Sequence, residues 1–359
     1  MTGNLKQVLI VAVVACFSVF GVWWATGMEK IYENFDGPYY LAVAKSWYKQ
    51  DVLRTNFSFP TPLEYYPAHF PGYPLLINLA ALTGINRPQA MLAVNLAAGV
   101  TGAIFMFAAA QQAGMSKPWV AALVWLFFWP RMWAVRSVGS PETLFIAGII
   151  SSVYFFNRKM YWWSALGAIV AVVTKSPGIL LILAYGLWAT EDYLKNKRWE
   201  KRMYPVFLAG LALAGVFCFY KLQTGDFWAY FHSGDNIHLQ ILPFKVFDSN
   251  QPWVGNFWLE DVLWIYLAGA WGVLAVFRYN RVWGWWGLVF YISLLFVSHR
   301  DISRYSLPLI PVVLIGVHKW LEKKETVYIL AGLLLPAFLY TLNFVNHNFL
   351  PIANWAPFL

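Results

Sequence analysis

Apolar runs of about 15 to 25 residues recur along the whole sequence, and they constrain its fold more than any motif does. Segments of this kind in lipid must satisfy their backbone hydrogen bonds internally, which leaves helices as the choice for runs of this length. Only 12% of the 359 residues are charged, about half the proportion of a soluble domain, and the mean hydropathy is +0.52. The chain is expected to be an all-α polytopic membrane protein forming one domain over 1–359. About eleven spans are predicted, near 7–27, 88–112, 118–134, 142–157, 161–174, 177–193, 203–220, 260–278, 283–298, 306–320 and 326–344. The pair at 161–174 and 177–193 is short for a bilayer core of about 30 Å. It meets at Thr174-Lys175-Ser176-Pro177, a charged hairpin that must dip toward the membrane. The first run has no small-residue cleavage site and reads as a retained span.

The densest basic cluster, Lys195 to Arg202, assigns that loop and the N-terminus to the cytoplasm. Alternation then puts 28–72, 221–259, 299–305 and the C-terminus outside. Twelve of the seventeen acidic residues fall on that outer side, so the chemistry is expected there. The formal charge of +9 does not point to nucleic acid, because the basic residues lie in short loops facing lipid headgroups. In the first outer loop, Tyr39 to Lys49 has the period of an amphipathic helix lying in the headgroup plane. Asn56 to Pro74 carries five prolines and six aromatic residues, which suits a groove lined by rigid rings. Cys16 and Cys218 lie mid-run, and the spacings match no metal site, P-loop, dinucleotide fingerprint or Ser-His-Asp arrangement.

A carboxylate where the chain first leaves the bilayer needs a reason, and Asp36 in Asn34-Phe35-Asp36-Gly37-Pro38-Tyr39-Tyr40 has two. It is a good N-cap with proline in the first turn, and it is a candidate general base. Arg300 and Arg304 stand four apart at the mouth of a span, where two guanidiniums suit a phosphate; Asp301 offers one of them an internal ion pair instead. His299 orients a phosphate or caps a helix. Glu142 opens the fourth span, as a dipole partner or as a ligand for a sugar hydroxyl. Lys175 is costly at its depth unless it faces a cavity or snorkels, and a phosphate contact would explain it. Arg131 and Arg136 read as interface anchors. His69, among the rings of 65–73, and His232, after Thr224-Gly225-Asp226, are either structural or ligand-binding.

Taken in order, several of these pieces resemble the GT-C glycosyltransferases, and within them the PIG-V-like mannosyltransferases. The resemblance rests on Phe35 to Tyr40, His69-Phe70-Pro71-Gly72-Tyr73-Pro74, Ser140-Pro141-Glu142-Thr143-Leu144-Phe145, Thr174-Lys175-Ser176-Pro177-Gly178, Thr224 to His232, and Arg304-Tyr305 with Pro308 and Pro311. Phe35 stands where that family usually has Trp, and Lys175 where it has Arg. The resemblance implies a GT-C-like bundle and inverting transfer of a monosaccharide, mannose foremost, from a polyprenyl-phosphate donor on the extracytoplasmic face. The acceptor would be a hydroxyl of a glycan, glycolipid or protein, with Asp36 as base. On that reading Arg300, Arg304, Lys175 and His299 hold the donor phosphate. Glu142, Tyr39, Tyr40, His69, His232 and Tyr305 surround sugar and acceptor. A lipid phosphate is already a good leaving group, so no metal or other cofactor is required. A transporter or flippase of lipid-linked sugars would use the same cationic mouth. It would more often show paired repeats and midplane charges, and neither is present in the sequence.

Overall fold

The computed structural model describes residues 2–34, 36–234, 238–254 and 259–359; Phe35, before Asp36, lies outside the described residues. The described chain is helical, with isolated bridges and no strand among the described residues. Its principal helices are α1 (Thr2–Thr26), α2 (Gly37–Ser46), α3 (Gly72–Ala81), α4 (Arg87–Gln112) and α5 (Pro118–Phe127). They continue as α6 (Pro130–Ser137), α7 (Glu142–Asn157), α8 (Tyr161–Thr174), α9 (Leu180–Asn196) and α10 (Leu208–Thr224). The last are α11 (Glu260–Val276), α12 (Arg281–Leu295), α13 (Ile310–Gly316), α14 (Lys324–Gly332) and α15 (Leu334–His347).

Each expected span coincides with one of these helices or with a consecutive pair. Their lengths differ more than the sequence suggests. Leu5–Thr26, Arg87–Gln112, Lys201–Thr224 and Lys324–His347, of 22 to 26 residues, are long and apolar enough to cross a bilayer. The segment expected as one span at 118–134 is bent by 71° between α5 and α6. Pro130 at the start of α6 has no amide donor to continue the α5 ladder. The span expected at 306–320 is likewise segmented, with Pro308 in a 3₁₀ turn and Pro311 near the start of α13. Helix α3 lies in a stretch the sequence reading leaves unassigned. Its ten residues, about 15 Å, are too short for a full span.

The order of packing explains why short helices suffice. α7 lies between α4 and α8 and is buried on nearly all sides. It is enclosed by its neighbours and has no need to match the bilayer thickness. α11 packs on α13, α9 on α12, and α1 on α4.

The segments that carry the candidate residues are drawn together by small residues. Asp36 precedes Gly37, and Glu142 follows Gly139. A Cβ on Gly139 would run into the Met91 side chain and lie 3.0 Å from the Gly37 Cα. The two backbones therefore touch at a point where only glycine leaves room. Gly178 does the same beyond Lys175, where a Cβ would lie 2.6 Å from the Val172 nitrogen. α2 forms where the sequence places it, but it differs from an interfacial helix. Tyr39 to Ala44 are all buried, so it is enclosed by the bundle with Lys45 as its exposed exception. Asn78 of α3 donates to the Ala44 carbonyl at 2.6 Å, and the Tyr73 hydroxyl to the Met91 carbonyl at 3.0 Å. These two bonds tie α2 and α4 to the missed helix.

Candidate active site

Four ionised side chains from four distant segments meet at one end of the bundle. The Arg304 guanidinium, on the short helix Ile302–Tyr305, donates from Nε to Glu142 Oε1 at 2.8 Å and from Nη2 to Asp36 Oδ2. Lys175 Nζ donates to the same Glu142 oxygen at 2.6 Å, and Ser140 Oγ donates to the other. Glu142 is only 3% exposed, so its place in the first turn of α7 is more than a dipole contact. Two cations on one carboxylate offset its desolvation. Asp36 occupies the N-cap position of α2, but its side chain makes no capping bond. The carboxylate is turned to Arg304 instead, so the capping alternative loses its geometry.

These groups line a cavity of about 1550 Å³ that continues between apolar walls from α10, α11 and α12. Tyr40, His69, His299, Arg300 and Tyr305 also line it. His69 is buried, stacked on Tyr39 with centroids 5.2 Å apart and edge-on to Tyr40 at 4.8 Å. Its Nδ1 has no hydrogen-bond partner. Burial lowers its pKa to about 4 despite the nearby Asp36, so the ring is neutral at physiological pH. Tyr39 is not part of the lining; it backs His69 within a cluster of Phe59, Tyr65 and Tyr66. His299 Nδ1 accepts from the Asp301 amide at 3.0 Å, which leaves its Nε2 as donor when the ring is neutral. Burial lowers its pKa, with Arg304 and Arg300 acting in the same direction.

The two arginines expected as a parallel clamp are placed differently. Arg304 is engaged by two carboxylates, while Arg300 lies exposed at the rim. Asp301 pairs with Arg131 at 2.8 Å rather than with either of them. Arg131 itself sits in the cavity wall, 3.8 Å over the Phe344 ring, instead of anchoring at an interface. Arg136 is buried against the Leu126 carbonyl and Ser18, also not an interface anchor. His232 does not line the cavity. It is exposed and bonded to Asp226 at 2.6 Å. Sequence reasoning missed His238, whose ring lies 4.3 Å from that of His299, and the wall residues Glu260, Asp261 and Trp264. The acid pair opening α11 was the only sequence signal for them. Among the described residues no three His, Cys, Asp or Glu side chains are grouped to hold a metal ion.

No protein-family model matches the chain, and no curated protein matches it. Solved structures do share its fold. The chain is similar to ArnT from Cupriavidus metallidurans bound to undecaprenyl phosphate, with 16% identity, TM-score 0.58, 93% of this chain covered and 63% of that one. The apo state of ArnT aligns with TM-score 0.54 and 17% identity, over 92% of this chain and 63% of that one. The Archaeoglobus fulgidus oligosaccharyltransferase, tethered with an acceptor peptide containing the NVT sequon, aligns with 11% identity and TM-score 0.58. That alignment covers 97% of this chain and 56% of the oligosaccharyltransferase. The chain thus spans less than two thirds of the length of these proteins. It has the GT-C-like bundle expected from the sequence, in an all-α polytopic membrane protein.

Replacing Arg304 by Gln leaves the half-buried Asp36 carboxylate without its cation and buried Glu142 with Lys175 alone, and breaking such a pair costs about 3–5 kcal/mol. Arg300→Gln, at the exposed rim, is expected to cost less than Arg304→Gln. Thermal unfolding of the purified variants in detergent checks this, and equal melting temperatures would refute the bridging role. A second expectation concerns pH. The folded pKa of His69 is about 4, below the ordinary value of 6.5, so the unfolded chain takes the proton first. Stability contributed at neutral pH is therefore lost as pH falls from 6.5 toward 4, by about 2 kcal/mol at pH 5. The drop in melting temperature between pH 7.5 and 5 should be smaller in His69→Gln than in wild type; equal drops would contradict a buried neutral ring.

Proposed function

We propose that the protein is a GT-C glycosyltransferase that moves a monosaccharide from a polyprenyl-phosphate donor to an acceptor hydroxyl, with inversion and with Asp36 as general base. Mannose is the sugar favoured by the PIG-V-like motifs. The observation that carries the reading is the Asp36 carboxylate, freed from its cap and oriented by Arg304 inside a cavity that runs from ionic to apolar walls. The fold shared with an undecaprenyl-phosphate-bound protein and with an oligosaccharyltransferase supports it.

In this reading the prenyl tail lies between α10, α11 and α12, and the phosphate lies toward Arg300, Lys175 and the Nε2–H of His299. Arg304 joins them by sharing its guanidinium between the carboxylates and the phosphate. Asp36 accepts the proton of the acceptor hydroxyl as that oxygen attacks the anomeric carbon opposite the phosphate. The carbon–phosphate-oxygen bond breaks, and the electron pair leaves with the lipid phosphate, where cations stabilise the growing charge. General-base assistance of this kind is worth roughly 10²–10⁴-fold. Glu142, Tyr40, His69 and Tyr305 present polar edges to the sugar and acceptor, while Tyr39 holds the His69 ring. His232, outside the cavity, has no role here. The acceptor, a glycan, glycolipid or protein, enters from the aqueous side. No metal is invoked, because Arg304 already supplies a cation to both carboxylates.

Asp36→Asn keeps an oxygen for Arg304 but cannot accept the proton, so transfer is expected to fall by roughly two to four orders of magnitude. Donor binding and membrane insertion are expected to survive. Near-normal transfer by this variant would end the base assignment. Lipid movement without sugar transfer by any variant would favour a transporter.

The cavity end of the bundle is placed on the extracytoplasmic face, with the N-terminus and the basic 195–202 loop in the cytoplasm. In a protein lacking Cys16 and Cys218, an impermeant thiol reagent added to intact cells should label Ala353→Cys and spare Lys197→Cys. The reverse pattern would invert the orientation.

A further inference from the structure

The segment between α10 and α11 carries a run of apolar side chains left exposed among the described residues. Ile241 is 94% exposed and Leu242 60%, and Leu239, Phe244 and Phe247 are exposed beside them. A run of this kind in water would be an aggregation liability. The segment is nevertheless built in place. The Gln240 amide donates to the Phe296 carbonyl at 2.9 Å, and the Phe244 amide to the Leu295 carbonyl at 2.8 Å. The Ser298 amide closes the other side on the His238 carbonyl at 2.8 Å. Its charge is closed too, because Lys245 pairs with Asp248 at 2.6 Å.

The depth of this segment decides what covers it. The rings of Phe244 and Phe247 lie 6.1 and 6.4 Å from the ring of Tyr266, two turns into α11. That position is about 9 Å along the helix axis from the acidic start at Glu260. At the same level α11 exposes Leu263 and Leu267, a stripe that continues through Trp271 and Leu274. This is the outward face of a helix in a polytopic membrane protein, so lipid covers it. The exposed tip at Ile241 and Leu242 continues that lipid-facing surface. On its inner side Leu239, bridged to Val297, lines the cavity.

We infer that residues 239–247 form a lip that inserts into the leaflet on the cavity side and borders the entrance for the prenyl tail. Insertion follows from the apolar tip and its depth alone. The entrance role rests on the proposed lipid-linked donor. The lip is pinned to 295–298, directly before His299, so tail and phosphate would be received by adjoining residues.

The test separates the two parts. Ile241→Cys, in a protein lacking Cys16 and Cys218, is labelled with an environment-sensitive dye and reconstituted in phosphatidylcholine–phosphatidylglycerol vesicles. Lys197→Cys, in the exposed basic loop, is the control. Acyl-brominated lipids are expected to quench the dye at 241 several-fold more than the control, and aqueous iodide to do the opposite. Quenching by iodide equal to the control would overturn insertion. Shielding from both quenchers, with concentration-dependent crosslinking, would assign the surface to a second copy and also overturn it. The double variant Ile241→Asp/Leu242→Asp is then assayed in vesicles with long-chain and short-chain polyprenyl-phosphate sugars. KM is expected to rise at least tenfold for the long-chain donor only, with kcat unchanged. An unchanged ratio of the two KM values would overturn the entrance role. No transfer by wild type with either donor would reject the lipid-donor reading and this entrance, and would leave the quenching result standing.

Discussion

Arg304 ties together parts of the chain that lie far apart in the sequence. Its guanidinium spans Asp36, before α2, and Glu142, at the start of α7, while Lys175 reaches Glu142 from the turn after α8. Charges at such depth persist only when each has a partner, and removing Arg304 takes from Asp36 the cation it faces. The formal charges of these four groups cancel, so the arrangement is tolerated without ligand. It also leaves an anionic ligand with cations to share. The contact between glycines 37 and 139 and the turn at Gly178 bring the same segments together.

The cavity around that network has two environments. One end is ionic and edged by His69, His299 and Tyr305; the other runs between apolar faces of α10, α11 and α12. An amphiphile with a charged head and a long hydrocarbon tail fits that division, whereas a small polar solute would leave half of it unsatisfied. Bent and shortened helices make the space possible. α5 and α6 turn by 71°, the chain after Tyr305 is segmented, and residues at both breaks, Phe128 to Arg131 and Pro308, line the cavity.

The helical class and the positions of the expected spans were legible because burial in lipid imposes a long apolar period on each. Breaks were less legible. Pro130 lies within an apolar run that hydropathy reads as one span, and α3 is too short to register. The first outer loop was read as interfacial because Tyr40, Val43, Ala44 and Trp47 share a helical face. Periodicity on one side says nothing about whether a second layer covers the other, and here the bundle covers both.

Residue chemistry by itself singled out Asp36, Glu142, Lys175 and Arg304, since ionisable groups at membrane depth need a reason wherever they occur. Sequence also gave each a bland alternative, because a cap, a dipole contact, a snorkelling cation and a local ion pair are all short-range options. Only the tertiary structure decided among them. It turned Asp36 from its cap to Arg304, gave Asp301 to Arg131, and left Arg300 at the rim and His232 outside the cavity. It also added His238, Glu260 and Asp261 to the walls. The physical reason is that partner choice for a charge depends on which segments approach within a few ångströms, and that is set by packing between residues up to 268 positions apart.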